Sequence, residues 1–248
     1  MNFGPEYHKI QGVFKRTKNG VIIPWDYSLP EFGLLENTEW IWTEKVDGTN
    51  IRLHWDGSNV TIGGRTNKAQ LPADLVKVLE TWTKGDFGPE FWKERFSENR
   101  DEASVTLYGE GYGAGIQKVG NSYRSDKGFI LFDIKVDKYW LERDAVEEIA
   151  KSFGFDVVPV AFYGTLMDCI TDVSKMAQSV HLGEWWHTPR DPFSQINLPH
   201  NKAFIEGYVG TPVVQLFNRY GERIITKVKL KDWFDYYEKT TPKVAHGS

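Results

Sequence analysis

The chain has 248 residues, 40% of them hydrophobic, with a formal net charge of −4. That is enough apolar material for one large or two small domains, and it excludes a global electrostatic footprint for nucleic acid, so any such binding must rest on a local basic patch. Cys169 is the only cysteine, which excludes a disulfide framework and a thiolate metal cluster, while no signal-like segment or bilayer-length apolar run occurs. The expectation is a soluble, cytoplasmic protein without membrane association. Ten Trp, eleven Tyr and fifteen Phe can build a core, stack on bases, or do both.

Residues 1–40 carry little periodicity, although Ile10–Arg16 and Val21–Ile23 fit short strands about the Lys18-Asn19-Gly20 turn. Trp40-Ile41-Trp42 reads as a strand feeding Lys45. Ile51, Leu53 and Trp55 then alternate with Arg52 and His54, as in a strand buried on one face, and after the Asp56-Gly57 turn Val60 and Ile62 complete a hairpin. Gly63-Gly64-Arg65-Thr66 follows. Leu75, Val78, Leu79 and Trp82 have helical spacing behind Pro72, and Pro89 opens a second short helix through Phe96.

Val105–Gly113 reads as a strand running into a glycine-rich bend, and 114–127 as a polar loop. Phe129–Val136 has the composition of a central strand, and Leu141–Phe153 that of an amphipathic helix ended by Gly154. Val157–Val160 suggests an edge strand, and Ile170, Val173, Ala177 and Val180 another helix. A loop is expected over 183–203, with Trp185-Trp186-His187 exposed. Val213–Phe217 is then expected to pair with Ile224–Leu230 across Asn218–Glu222, before a last helical turn at Trp233–Lys239. No repeat or linker divides the chain. The expected architecture is one α+β domain over 1–240, with 241–248 as a tail.

Chemistry could sit at four places. Lys45 stands at the mouth of the Asp47-Gly48 loop, where a glycine lets a ligand approach the backbone. Taken alone, that is a lysine beside a turn. Strand alternation places Ile225, Lys227 and Lys229 on one face, which is either a solvated surface or a phosphate clamp. Lys202, Arg219, Arg223 and Lys231 thicken the positive field nearby. The pairs Asp47-Gly48, Glu110-Gly111 and Glu206-Gly207 would put carboxylates at strand ends, where a hard cation or a ribose hydroxyl is held. Phe132, within Phe-Asp-Ile, reads as core on sequence grounds alone.

Taken in order, Lys45-x-Asp47-Gly48, Tyr108-Gly109-Glu110-Gly111, Phe132-Asp133-Ile134, Glu206-Gly207-Tyr208-Val209 and Lys227-x-Lys229 resemble motifs I, III, IIIa, IV and V of the covalent nucleotidyltransferases. Thr43-Glu44-Lys45 with Asn50, Arg65 on the strand after the hairpin, and Gly115-Ile116-Gln117-Lys118 bring the resemblance closest to RNA ligases of the phage RNA ligase 2-like and RNA-editing kinds. It covers residues 8 to 231.

The resemblance implies an adenylation domain of antiparallel sheets flanked by helices, with the nucleotide pocket between them. It implies an ATP-dependent RNA ligase that joins 5′-phosphate and 3′-hydroxyl ends through a lysyl-AMP on Lys45. Catalysis would fall to Lys45, Lys227, Lys229 and Glu206. ATP would be bound by Glu44, Asn50, Arg65, Glu110, Phe132, Lys227 and Lys229, with Glu110 on the ribose and Phe132 on the adenine. Glu206 and Asp47 would serve Mg2+ or Mn2+. The physics agrees: an ordinary lysine is a free amine in only about one molecule in 2,500 at pH 7, and burial, neighbouring cations or a metal favour the neutral form.

The chain departs from these relatives in leaving no room for an OB-fold or other C-terminal domain. A monomer acting on single-stranded ends, or with a protein partner in place of that domain, is therefore expected. A minimal DNA ligase, a capping guanylyltransferase, a non-catalytic RNA-end-binding module and AMP transfer to a protein are the rival readings.

Overall fold

The computed structural model describes residues 2–96, 104–118, 120–182 and 205–241. The predicted loop at 183–203, with Trp185, Trp186, His187 and Lys202, lies outside them. The chain separates into two compact units: Met1–His8, Val46–Val158 and Ile196–Ala203 form one, while Lys9–Lys45, Pro159–Gln195 and Phe204–Ser248 form the other. Each has its own sheet and core, and the whole is a mixed α and β structure. No described helix is long and apolar enough to cross a membrane.

The first unit is built on a six-stranded sheet in the order Asp156–Val157, Lys127–Val136, Val105–Gly113, Thr49–Trp55, Val60–Gly64, with Tyr139–Trp140 added beside Lys127–Val136. The predicted hairpin is present: Ile51 faces Gly64 and Trp55 faces Val60, and Asp56 Oδ1 accepts the amides of Ser58 and Asn59 to close the turn. Ile51, Leu53, Leu107, Leu131 and Ile134 share one sheet face, which packs on Leu75, Trp92 and Phe153 from the flanking helices. Fully burying each such side chain stabilises by roughly 1.5–3 kcal/mol.

Two expectations fail in this sheet. Arg52 and His54 are buried rather than solvated, because the N-terminal residues lie over their face: Arg52 donates to the carbonyls of Gly4 and Gly64 at 2.7 and 2.8 Å and to Asn67 Oδ1 at 2.9 Å. The strand from Val105 does not stop at a bend but runs to Gly113, its glycines leaving room for Phe129 and Leu75 to pack against it. The predicted polar loop at 114–127 includes a short helix, Gly120–Tyr123.

The second unit carries a five-stranded sheet in the order Gln11–Gly12, Thr226–Lys229, Gly207–Pro212, Glu39–Glu44, Val160–Thr165, and a two-stranded ribbon of Phe14–Arg16 with Ile22–Tyr27. Trp40, Trp42, Tyr208 and Val228 form a core with Ile170 and Val173 of helix Leu166–His181 and Trp233 of helix Leu230–Thr240. The predicted last helical turn is thus a helix of 11 residues.

The last hairpin is paired differently from the expectation. Thr226–Lys229 pairs with Gly207–Pro212, while Phe217 and Arg223 form only an isolated bridge in the excursion between them. Alternation in 213–217 marked an extended segment, but pairing follows the strand that carries the core residue Tyr208. The edge strand expected at 157–160 is divided, Asp156–Val157 ending one sheet and Val160 opening a strand of the other. Neither large sheet is wholly antiparallel: Asp156–Val157 and Gln11–Gly12 join as two-residue parallel edges. Such edges arrive by long connections, which hairpin patterns do not signal.

Candidate active site

Three strands of the second unit bring distant residues level. Thr43 faces Val209, which faces Lys227, and Gly207 faces Lys229. Beyond the strand end the Lys45 amide donates to the Gly207 carbonyl at 2.9 Å, and the Leu230 amide donates to the Glu206 carbonyl at 3.0 Å. The successive carbonyls of Glu206 and Gly207 are therefore each held by a neighbouring strand end. Gly207 has φ +145°, and a Cβ there would lie 2.1 Å from the Val228 carbonyl oxygen, so both conformation and space demand glycine.

Alternation then sets the faces. Trp40, Trp42, Tyr208 and Val228 point into the core, whereas Lys227 and Lys229 remain half-buried on the other side. Lys45 Nζ donates to Glu206 Oε2 at 2.6 Å, and Lys229 Nζ donates to Oε1 at 2.7 Å. Burial pushes the Glu206 carboxyl up, but the two lysines outweigh it and hold it below its ordinary value. Lys227 is pulled below its ordinary value by burial, and then by the positive charges of Lys45 and Lys229. Glu44, expected to bind the nucleotide, shares the parity of Trp40 and Trp42 and is 2% exposed. Its side chain belongs to the packed face rather than to that of Lys45.

Two of the cations expected to thicken the field, Lys231 and Arg219, turn to their own neighbours. Lys231 binds Asp235, at 2.6 Å to one oxygen, and Arg219 lies over the Tyr220 ring.

The first unit holds the remaining candidates. Asn50 and Glu110 face each other across adjacent strands, with Ile130 beyond Glu110. Gly48 lies against them: a Cβ on it would fall 2.3 Å from the Gly111 carbonyl oxygen and 2.8 Å from Glu110 Cγ. The Asp47 amide donates to the Tyr123 hydroxyl at 3.2 Å, and Gln117 Nε2 donates to the Gly48 carbonyl at 2.9 Å. Arg65 is exposed, one residue past the end of its strand rather than on it.

Phe132 owes its orientation to a break in pairing. Tyr108 faces Asp133 but Gly109 faces Leu131, so Phe132 is the extra residue of a bulge. Leu131 and Ile134 stay in the core, while Phe132 packs beside Val46, Tyr112 and Ile130. Tyr7 buttresses it edge-on at 5.1 Å and donates its hydroxyl to Asp133 at 2.7 Å. No sequence signal marked Tyr7; Gln117 stood in a family-like tetrapeptide without an assigned role.

Among the described residues no three His, Cys, Asp or Glu side chains gather as a metal site. A magnesium-like ion in a nucleotide site is held by one or two carboxylates together with substrate phosphates. Glu206, whose two oxygens already meet positive partners, has the donor chemistry for that.

A mixed α and β fold with a lysine amine held among further lysines and one carboxylate is the frame in which a known family is found. A sequence profile described as RNA ligase matches residues 38–229, and the chain belongs to that family. Solved structures of Naegleria gruberi RNA ligase are similar. The form with PPi has a TM-score of 0.58 and 17% identity over 97% of this chain. A mutant with ATP and Mn gives 0.58 and 14% over 96%, and a mutant with AMP and Mn gives 0.58 and 15% over 96%. The chain spans 59% of the length of these structures, and the likeness is one of fold.

Proposed function

We propose that this chain is the adenylation domain of an ATP-dependent RNA ligase, joining 5′-phosphate and 3′-hydroxyl ends through a lysyl-AMP on Lys45. The observation that carries the reading is Lys45 and Lys229 on the two oxygens of Glu206, with Lys227 on the same open sheet face. Family membership and the ATP- and AMP-bound forms of the Naegleria enzyme support it.

In the first step Lys45 gives up a proton and its contact with Glu206, and its Nζ lone pair attacks the α-phosphorus. The bond to the β-phosphate oxygen breaks and pyrophosphate leaves. Lys227 and Lys229 hold the α-phosphate oxygens, where fixed positive charge stabilises the transition state more than the ground state. Glu110 takes the ribose, Phe132 stacks on the adenine, and Asn50 and Arg65 contact ribose and phosphate groups. Glu206 and Asp47 would hold a divalent cation, which supplies countercharge for the leaving pyrophosphate. Next an oxygen of the RNA 5′-phosphate attacks the adenylyl phosphorus, and Lys45 leaves as the amine. The RNA 3′-hydroxyl then attacks the activated 5′-phosphate, expelling AMP.

Incubation with labelled ATP or GTP, magnesium, and 5′-phosphorylated RNA or DNA tests the reading. Labelled protein with ATP only and a lengthened RNA are expected; GTP labelling or DNA joining favours a capping enzyme or a DNA ligase.

A further inference from the structure

Residues 2–8 join no strand, yet they are strapped across the sheet of the first unit. Thr61 Oγ1 donates to the Asn2 carbonyl at 2.7 Å, Arg52 Nη1 to that of Gly4 at 2.7 Å, and the Tyr108 hydroxyl to that of Pro5 at 3.0 Å. Glu6 Oε1 accepts the Asn67 amide at 3.1 Å. Gly4 has φ +68°, and a Cβ on it would fall 2.4 Å from His54 Nδ1, so only glycine lets the backbone lie flush on that imidazole.

The strap borders the candidate nucleotide residues of its own unit. Arg52 faces Tyr108, which faces Asp133, and the next row on the same sheet face is Asn50, Glu110 and Ile130. Rows two residues apart along a strand lie about 7 Å from each other. At the end of the strap Tyr7 donates its hydroxyl to Asp133 at 2.7 Å and presents its ring edge-on to Phe132 at 5.1 Å. The Tyr7 ring is itself packed against Tyr108 and Trp140 at 5.0 and 5.6 Å. Phe132, as the extra residue of a bulge, has no residue opposite it on the strand Val105–Gly113. An ordinary strand side chain is fixed by the one it faces; here Tyr7 takes that place.

We infer that Tyr7 is a positioning residue: held by the strap, it sets the tilt of the Phe132 ring on which the adenine of ATP stacks, and so the affinity for ATP. The inference rests on the ligase reading for the choice of nucleotide. The Tyr7 edge meets Phe132 equally in the bound and the reacting state, so its loss weakens nucleotide binding and leaves the phosphoryl chemistry as it was.

The test measures self-adenylylation against ATP concentration for the wild type, Tyr7→Phe, Tyr7→Ala, Phe132→Leu and the Tyr7→Ala/Phe132→Leu double variant. Equilibrium binding of labelled ATP is measured for the same set on a Lys45→Met background, which cannot take the adenylate. Tyr7→Ala should raise the half-saturating ATP concentration about fivefold, the size of one edge-on aromatic contact, and leave the rate at saturation unchanged. Tyr7→Phe keeps the ring edge and should keep most of the affinity. Once Phe132 is leucine, Tyr7→Ala should add nothing, because the two rings act as one. Tyr7→Leu, which keeps apolar bulk without a ring edge, should show the same rise if the alanine variant melts below the assay temperature. An unchanged half-saturating concentration, a loss confined to the saturating rate, or full additivity with Phe132→Leu overturns the inference. A labelled wild type with additive effects keeps the ligase reading alone. ATP binding with the expected pattern but no self-adenylylation keeps the positioning role and sinks the ligase reading, and no ATP binding at all overturns both.

Discussion

Lys45 and Lys229 share one carboxylate, their amines 2.6 and 2.7 Å from the two oxygens of Glu206. With Lys227 on the same sheet face, a single negative charge stands among three positive ones. Glu206→Gln keeps the shape and removes that charge. The folded-state pKa of Glu206 lies below its ordinary 4.5, so its contribution to stability is present above that value and is lost as the pH falls through the folded-state pKa. Thermal melts from pH 7 downward should therefore show the variant less stable at neutral pH, with the gap narrowing below about 4.5.

Lys227 behaves in the opposite sense. Burial and two lysines lower its pKa from 10.5, so carrying its charge costs stability at neutral pH, and that cost fades only as the pH rises toward 10.5. Lys227→Met should raise the melting temperature at pH 7, with the gain shrinking by pH 10. The same variant should lose adenylylation by at least a hundredfold, the order found when a charge-stabilising group is removed. Melting curves and labelling rates on one preparation check both halves.

Gly207→Ala tests how the cluster is held. Its φ of +145° and the 2.1 Å approach of the Val228 carbonyl oxygen to a Cβ leave no relaxed position for alanine. A loss of about 2 kcal/mol or more is expected from strain alone, read as a shift in the urea midpoint. Adenylylation should fall with it, because the carbonyls of Gly207 and Glu206 accept the amides of Lys45 and Leu230 directly.

Arg52→Leu probes the other unit. The guanidinium is fully buried and pulled below its ordinary value by burial, and its three hydrogen bonds tie Gly4, Gly64 and Asn67. Leucine leaves those acceptors without their donor at a cost of about 3 kcal/mol, measurable by denaturant unfolding. Looser protease protection of residues 2–8 should accompany it.

Arg52 also marks what sequence could not reveal. Period-two alternation placed it correctly opposite Ile51 and Leu53 but could not say that residues 2–8 cover that face. At Thr226–Lys229 the same rule separated the two lysines from Thr226 and Val228, because that strand is packed on one side only. The meeting of Lys45 with Lys229 came from family resemblance, since nothing local relates residues so far apart. Phe132 read as core because a bulge leaves no trace in alternation. Glu44 came from the resemblance alone, and alternation gives it the parity of Trp40 and Trp42.

The most direct test is to treat the protein with ATP and magnesium, digest it, and map the adenylylated peptide by mass spectrometry, with Lys45→Met in parallel. The account predicts one modified peptide, carrying AMP on Lys45, and none in the variant. An adduct on another residue, or an undiminished adduct in Lys45→Met, contradicts it.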